Sequence, residues 1–231
     1  MNVQAAHTHP NKPFHSLDIE EYIKPKLRGW IHLVITPLSL AASIVLIAIA
    51  PGAANKWSCA VFLICTVLLF GVSSVYHRID WGKTAENLLR RWDHSNIFLL
   101  IAGTYTPITV ALLDSHDMKA LLVLVWSGAI GGILLSILWP TAPRWIYVPI
   151  YILLGWVAVY YMGPLSLNGG MSVVWLLVAG GVAYTIGGIV YGLKKPDPFP
   201  QWFGFHEIFH LFTVIGWICH CITAYLAVLT K

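Results

Sequence analysis

Apolar residues run along this chain in blocks of about 20, separated by short polar joints, a length that spans a bilayer core at a helical rise of about 1.5 Å per residue. No water is present in that core to satisfy backbone N–H and C=O groups, so each block predicts a transmembrane α-helix. Seven stretches qualify, at approximately 30–50, 57–77, 92–113, 119–139, 145–163, 171–192 and 204–229. The joints carry chain breakers: Pro51-Gly52, the polar run from Asp114 to Asp117, Pro140 with Pro143, Asn168-Gly169-Gly170, and Lys194-Lys195-Pro196-Asp197-Pro198. Trp30, Trp57, Trp92, Trp139, Trp145 and Trp202 stand at or beside block ends, where amphipathic rings meet lipid headgroups. The pattern predicts an all-α integral membrane protein, a seven-transmembrane helix bundle over residues 30–231 behind an N-terminal arm over 1–29. Pro37, Pro107 and Pro149 should bend their helices locally, and Gly128 with Gly132 and Gly188 with Gly192 should let neighbouring helices approach closely.

Composition agrees with the pattern, since only 10% of residues are charged against about 25% in soluble domains. The first 29 residues show no apolar core of a cleaved leader, so none is expected. His7, His9 and His15 form a short His-rich tract of a kind that binds metal, although the arm reads more simply as flexible or surface-lying. Cys59, Cys65, Cys219 and Cys221 fall inside apolar spans without a CxxC pair, which suggests buried side chains instead of a disulfide framework or a thiolate metal site. On alternate sides of the predicted bundle, Lys and Arg number 11 against 3, which puts the N-terminus in the cytoplasm and the C-terminus outside. A multi-pass protein of a cell membrane follows. Its expected partner is a membrane lipid, no nucleic acid is expected, and homo-oligomer formation is left open.

Ionisable residues inside spans cost about 2.5–3.5 kcal/mol each at the helix centre, so each needs a partner or a task. They are His32, His77, Asp93, His94, His206, Glu207, His210 and His220. His77 ends the second predicted span, Asp93 opens the third, and His206 with His210 opens the seventh, so all four meet at one, cytoplasmic, depth. His206 and His210 are four apart and share a helix face. Ser73 stands one turn deeper than His77. Taken singly, His77 could be an interfacial histidine, Asp93 the N-cap of the third helix, and His206 a residue among headgroups. Jointly, three histidines and a carboxylate suit a tetrahedral zinc site with an exchangeable water. His206-Glu207-Ile208-Phe209-His210 also matches HExxH, in which the glutamate of metalloproteases is the general base, and Asp93 competes with Glu207 for that role. His220 lies about 15 Å deeper than His210 by helical rise and reads as an interhelical hydrogen-bonding residue. His32 and His94 reach the right depth without a paired ligand spacing.

The segments Ser73-Ser74-Val75-Tyr76-His77-Arg78, Arg91-Trp92-Asp93-His94-Ser95-Asn96-Ile97, Ala102-Gly103-Thr104-Tyr105-Thr106-Pro107 and Phe205-His206-Glu207-Ile208-Phe209-His210 together resemble the haemolysin III family. That family resembles the progestin and adipoQ receptors, adiponectin receptors among them, and more distantly the alkaline ceramidases. The resemblance implies a seven-helix bundle holding Zn2+ near the cytoplasmic face through His77, His206 and His210, with Asp93 beside the zinc-bound water and Ser73 lining the same site. Glu207 inside HxxxH departs from many eukaryotic relatives and leaves the base open.

The resulting expectation is a zinc-dependent hydrolase of a lipid amide or ester, with Asp93 or Glu207 as base and Ser73 supporting the oxyanion. Two other classes compete with it. A pore-forming cytolysin would need polar stripes along several helices, whereas the polar groups here gather at one end. A lipid sensor with a structural zinc would close the metal with four protein ligands.

Overall fold

A computed structural model describes residues 25–230. Residues 1–24 of the predicted arm, with His7, His9 and His15, and the terminal Lys231 lie outside the described residues. The helices are α1 (Trp30–Ile49), α2 (Gly52–Arg78), α3 (Lys83–Leu112), α4 (Ser115–Leu138), α5 (Arg144–Gly155), α6 (Met162–Gly169), α7 (Met171–Leu193) and α8 (Phe205–Leu229). A 3-10 segment, Trp156–Tyr161, joins α5 to α6, so that these two form one span and the described residues make seven helices long and apolar enough to cross a membrane. Phe199 and Phe203 form an isolated bridge, and there is no strand among the described residues.

Helix α3 is the hub. Its most apolar stretch is 72% buried inside the protein, against 22–50% for the other spans, because α2 and α4 flank it and α8 and α5 cross it. The core around it is aromatic and aliphatic, built from Phe62, Phe70, Phe98, Leu121, Val125 and Trp217. Trp217 on α8 donates its Nε1–H to Thr66 on α2 at 3.1 Å, so that the last span is bonded to the second inside the core. The six tryptophans expected at span ends are all exposed, from 43% to 74%. The paired glycines pack as expected: Gly128 faces Leu154, Gly132 faces Phe98, and Gly188 and Gly192 face Val148.

Three boundaries differ by more than four residues from those expected. Helix α2 starts at Gly52 instead of residue 57, and α3 starts at Lys83 instead of 92. The polar turns of both helices are invisible to an apolar count. Asp93 therefore lies inside α3, more than two turns from its start, and is not an N-cap. The third difference is the break in the fifth span, whose helix reaches Gly169 instead of ending near 163. Its cause is a side chain from α3: the Tyr105 hydroxyl accepts from the Ala158 N–H at 2.9 Å and donates to the Gly155 carbonyl at 2.7 Å. A hydroxyl inserted into the i→i−4 ladder replaces a backbone bond and forces local rewinding.

At one end of the bundle the segment before α1 closes against the loop before α8. Lys26 N–H donates to the Gln201 carbonyl at 3.0 Å, Leu27 N–H to that of Trp202 at 3.2 Å, and the Lys26 ammonium lies 4.1 Å from the centroid of the Trp202 ring. At the other end Asp114 caps α4, accepting from the N–H groups of His116 and Asp117 at 2.8 and 2.9 Å. Those bonds, chiefly the one from Asp117, hold its carboxyl below the usual carboxylate range.

Candidate metal centre

Helix α2 delivers His77 from its last turn and α8 delivers His206 and His210 from its first two turns. The i, i+4 spacing on α8 places both rings on one face, toward the end of α2. One ring nitrogen from each of the three histidines falls in a group whose members lie within 4.8 Å of one another. The Nε2 atoms of His77 and His206 are 3.2 Å apart. Two ring nitrogens that close need a proton or a cation between them, since their lone pairs repel. His210 is 2% exposed and its Nδ1 is buried without a hydrogen-bond partner, so the donor set fits a bound metal ion. Asp93 Oδ2 stands 3.7 Å from His77 Nε2. Thus the four groups that the sequence places at one depth meet in space.

The backbone leading into α1 is fitted to this centre. Gly29 has φ +81°, in the left-handed region where a Cβ is strained, and a Cβ built there would stand 2.8 Å from His77 Cβ. Only glycine meets both conditions.

Glu207 is buried beneath the same segment. Its Oε2 accepts from the Gly204 N–H at 2.8 Å, capping α8, and its Oε1 pairs with Arg28 Nε. Asp197 Oδ1 accepts from the Phe205 N–H at 3.0 Å, satisfying a further orphan donor of the helix start. Both Glu207 oxygens are thus engaged at the flank of α8, and Glu207 does not line the cavity described next.

A cavity opens from the centre and runs between α3, α5, α7 and α8. At its metal end it is lined by His32, Ser73, Asp93 and His210. Farther along, Ile97, Ile101, Ile152 and Phe209 make the wall apolar. His32 comes from α1 and stacks face to face on His210, with centroids 3.8 Å apart and an interplanar angle of 10°. It is 2% exposed, and neither of its ring nitrogens has a hydrogen-bond partner. His94 turns elsewhere, its Nε2 lying 3.2 Å from the Tyr191 hydroxyl. Tyr191 in turn presents its ring edge-on to His206 at 5.7 Å and carries the Arg144 guanidinium 4.3 Å from its centroid. His220 donates Nε2–H to the Leu177 carbonyl at 3.2 Å, an interhelical bond between α8 and α7.

The sequence reading did not single out Arg28, Tyr191 or Arg144. Arg28 entered it only as one more positive charge before a span, and nothing in linear order pairs it with Glu207, 179 positions away. A second group of potential ligands, Asp114, His116 and Asp117, is accounted for by the cap of α4 and is largely exposed.

A seven-span bundle with a largely buried histidine cluster and an adjoining carboxylate defines a class of multi-pass membrane protein with a metal-competent centre near one face. The family follows from comparison with known proteins: the haemolysin-III related family model matches residues 20–221, and the chain belongs to the haemolysin III family. It is 37% identical over 185 residues to the Hemolysin-3 homolog of Bacillus subtilis (strain 168), covering 78% of this chain and 82% of that one. It is 34% identical over 203 residues to Hemolysin-3 of Bacillus cereus, covering 85% and 88% respectively. A more distant likeness, 25% over 160 residues, reaches the monocyte to macrophage differentiation factor of Homo sapiens, covering 66% of this chain and 62% of that one.

Proposed function

We propose that this protein is a zinc-dependent hydrolase of a lipid amide or ester that enters its cavity from the bilayer. The observation that carries the reading is the juxtaposition of three clustered imidazoles, two of them buried, with Asp93 and Ser73 at one end of a mostly apolar cavity. His77, His206 and His210 would hold the ion, a three-histidine set of the kind found in catalytic zinc sites. When bound, zinc would supply Lewis acidity, polarising a carbonyl and lowering the pKa of a water toward about 7. Asp93 takes the proton from the attacking water, whose oxygen forms the new bond to the carbonyl carbon. Ser73 donates its hydroxyl hydrogen to the developing oxyanion. The C–N or C–O bond of the lipid then breaks, and the proton held by Asp93 passes to the leaving amine or alcohol. Glu207 serves the frame, with its oxygens on the Gly204 N–H and Arg28.

The name of the Bacillus cereus relative raises a second reading, a pore-forming cytolysin. The apolar middle of the cavity argues against a water-filled path, because a pore needs a continuous polar lining.

The test is metal content together with lipid turnover. Protein purified in detergent should carry about one zinc per chain, and His77→Ala, His206→Ala or His210→Ala should each lower that content sharply. Lipid profiles of membranes with the protein and with the His206→Ala variant should differ in one amide or ester class and its free acid. Full zinc occupancy in the His77→Ala/His210→Ala double variant would remove the site.

A further inference from the structure

The cavity has a second polar end. Thr104, Tyr184 and His220 line it on α3, α7 and α8, beyond the apolar stretch that separates them from the metal centre. Thr104 lies eleven residues past Asp93, about 16 Å along the helix, and His220 ten past His210, about 15 Å.

Two hydroxyls at this end are unlike their counterparts elsewhere in the bundle. A threonine in a membrane helix ordinarily turns its hydroxyl back onto the carbonyl four residues earlier. Thr36, Thr106, Thr185, Thr213 and Thr223 all do so, at 2.6–2.9 Å. Thr104 does not: it is 5% exposed and its Oγ1 has no hydrogen-bond partner. Likewise the hydroxyls of Tyr105, Tyr147 and Tyr225 reach backbone carbonyls at 2.5–2.7 Å, whereas the buried Tyr184 hydroxyl reaches none. His220 is not a third free group, because its Nε2–H is given to Leu177.

The rings are held in place by reciprocal packing. Tyr184 on α7 lies against Gly216 of α8, where an added Cβ would stand 2.8 Å from the ring, and His220 on α8 lies against Gly180 of α7, where a Cβ would overlap it. Tyr184 therefore has no room to swing toward a carbonyl of its own helix.

We propose that Thr104 and Tyr184 read a second polar group on the lipid, a hydroxyl or carbonyl partway along the chain whose head lies at the metal centre. Each hydroxyl both donates and accepts, so the pair suits a ligand hydroxyl best. An unsubstituted hydrocarbon would leave both protein groups unpaired, and discrimination between a polar ligand and its analogue lacking the polar group is strongest in that situation. The inference rests on the reading of the cavity as a lipid site, and it names the class of lipid: a chain oxygenated well away from its head.

Zinc-loaded protein in phosphatidylcholine nanodiscs, carrying radiolabelled octadecanoic acid, provides the assay. Competitors are unlabelled octadecanoic acid and hydroxyoctadecanoic acids that differ in the position of the hydroxyl. A mid-chain hydroxyl should compete about tenfold better than the plain acid, while a hydroxyl beside the carboxyl or at the chain terminus should not. Thr104→Val and Tyr184→Phe, which keep side-chain shape, should each erase the advantage without weakening the plain acid. If Thr104→Val lowers thermal stability, Tyr184→Phe alone decides the matter. Equal competition by every acid, which is the result if the two hydroxyls hold only water, overturns the proposal, and so does an advantage that survives in Tyr184→Phe. The two readings fail separately: a position-dependent preference without zinc-dependent turnover would remove the hydrolase reading, and turnover without the preference would remove the second polar end.

Discussion

Asp93 and Glu207 are both carboxylates beside the histidine cluster, and isosteric amides at the two positions should produce opposite phenotypes. Glu207→Gln keeps the shape and one acceptor oxygen but removes the charge facing Arg28. A fully buried ion pair that loses one partner costs about 3–5 kcal/mol. The Glu207 side chain is 1% exposed but that of Arg28 is 19% exposed, so the stranded guanidinium is partly solvated and the cost should be nearer about 2 kcal/mol. For a chain of this size each kcal/mol moves Tm by about 2–4 °C, which predicts a fall of about 4–8 °C. Zinc content and turnover below the new Tm should change little. Asp93→Asn should retain zinc and Tm yet lower turnover by about 10²–10⁴, the usual contribution of general acid-base catalysis. Thermal unfolding in detergent, zinc analysis and turnover of the lipid identified by profiling measure all three quantities on the same samples. An inactive Glu207→Gln protein with unchanged Tm and zinc, beside an active Asp93→Asn protein, would refute this division of labour and restore the HExxH glutamate as base.

Gly29→Ala should destabilise the protein by about 1–3 kcal/mol, from the left-handed backbone and the collision with His77, and should release zinc to a chelator faster than the parent. His32→Phe keeps a ring stacked on His210 but removes both nitrogens. It should retain zinc while lowering turnover, and unchanged turnover would limit His32 to packing. A reporter fused at the C-terminus should lie outside the cytoplasm and one inserted beside Gly82 inside it, and the reverse pattern would overturn the orientation drawn from Lys and Arg counts.

The spans were readable because an apolar block of bilayer length admits few other structures, and the i, i+4 pair His206 and His210 was readable because helix geometry alone puts both rings on one face. What linear order does not carry is which side chains from distant helices fill the remaining space. The break in the fifth span is caused by Tyr105, which belongs to α3 and bonds into a ladder some fifty positions away. Glu207 looks like a catalytic base by motif, yet its oxygens are taken by a helix cap and by Arg28. His32 carried half a signal: a histidine in a span needs an explanation, but only the folded chain shows that its explanation is His210.

His77 and His206 are separated by 129 positions. The chain must thread four further spans after the first of the three histidines before the second arrives, and both of the later histidines enter with the final span. A nascent chain that stalls earlier in insertion possesses one of the three clustered histidines and lacks the His206 and His210 pair, so it would compete poorly for scarce metal. Once α8 docks, an ion bound there would clamp the end of the bundle to an element made near its beginning, and closing so long a loop would remove more freedom from the unfolded chain than any local contact does. Metal capture would therefore report that biogenesis is finished, and a protein truncated within α8 before His206 would be both unclamped and unloaded.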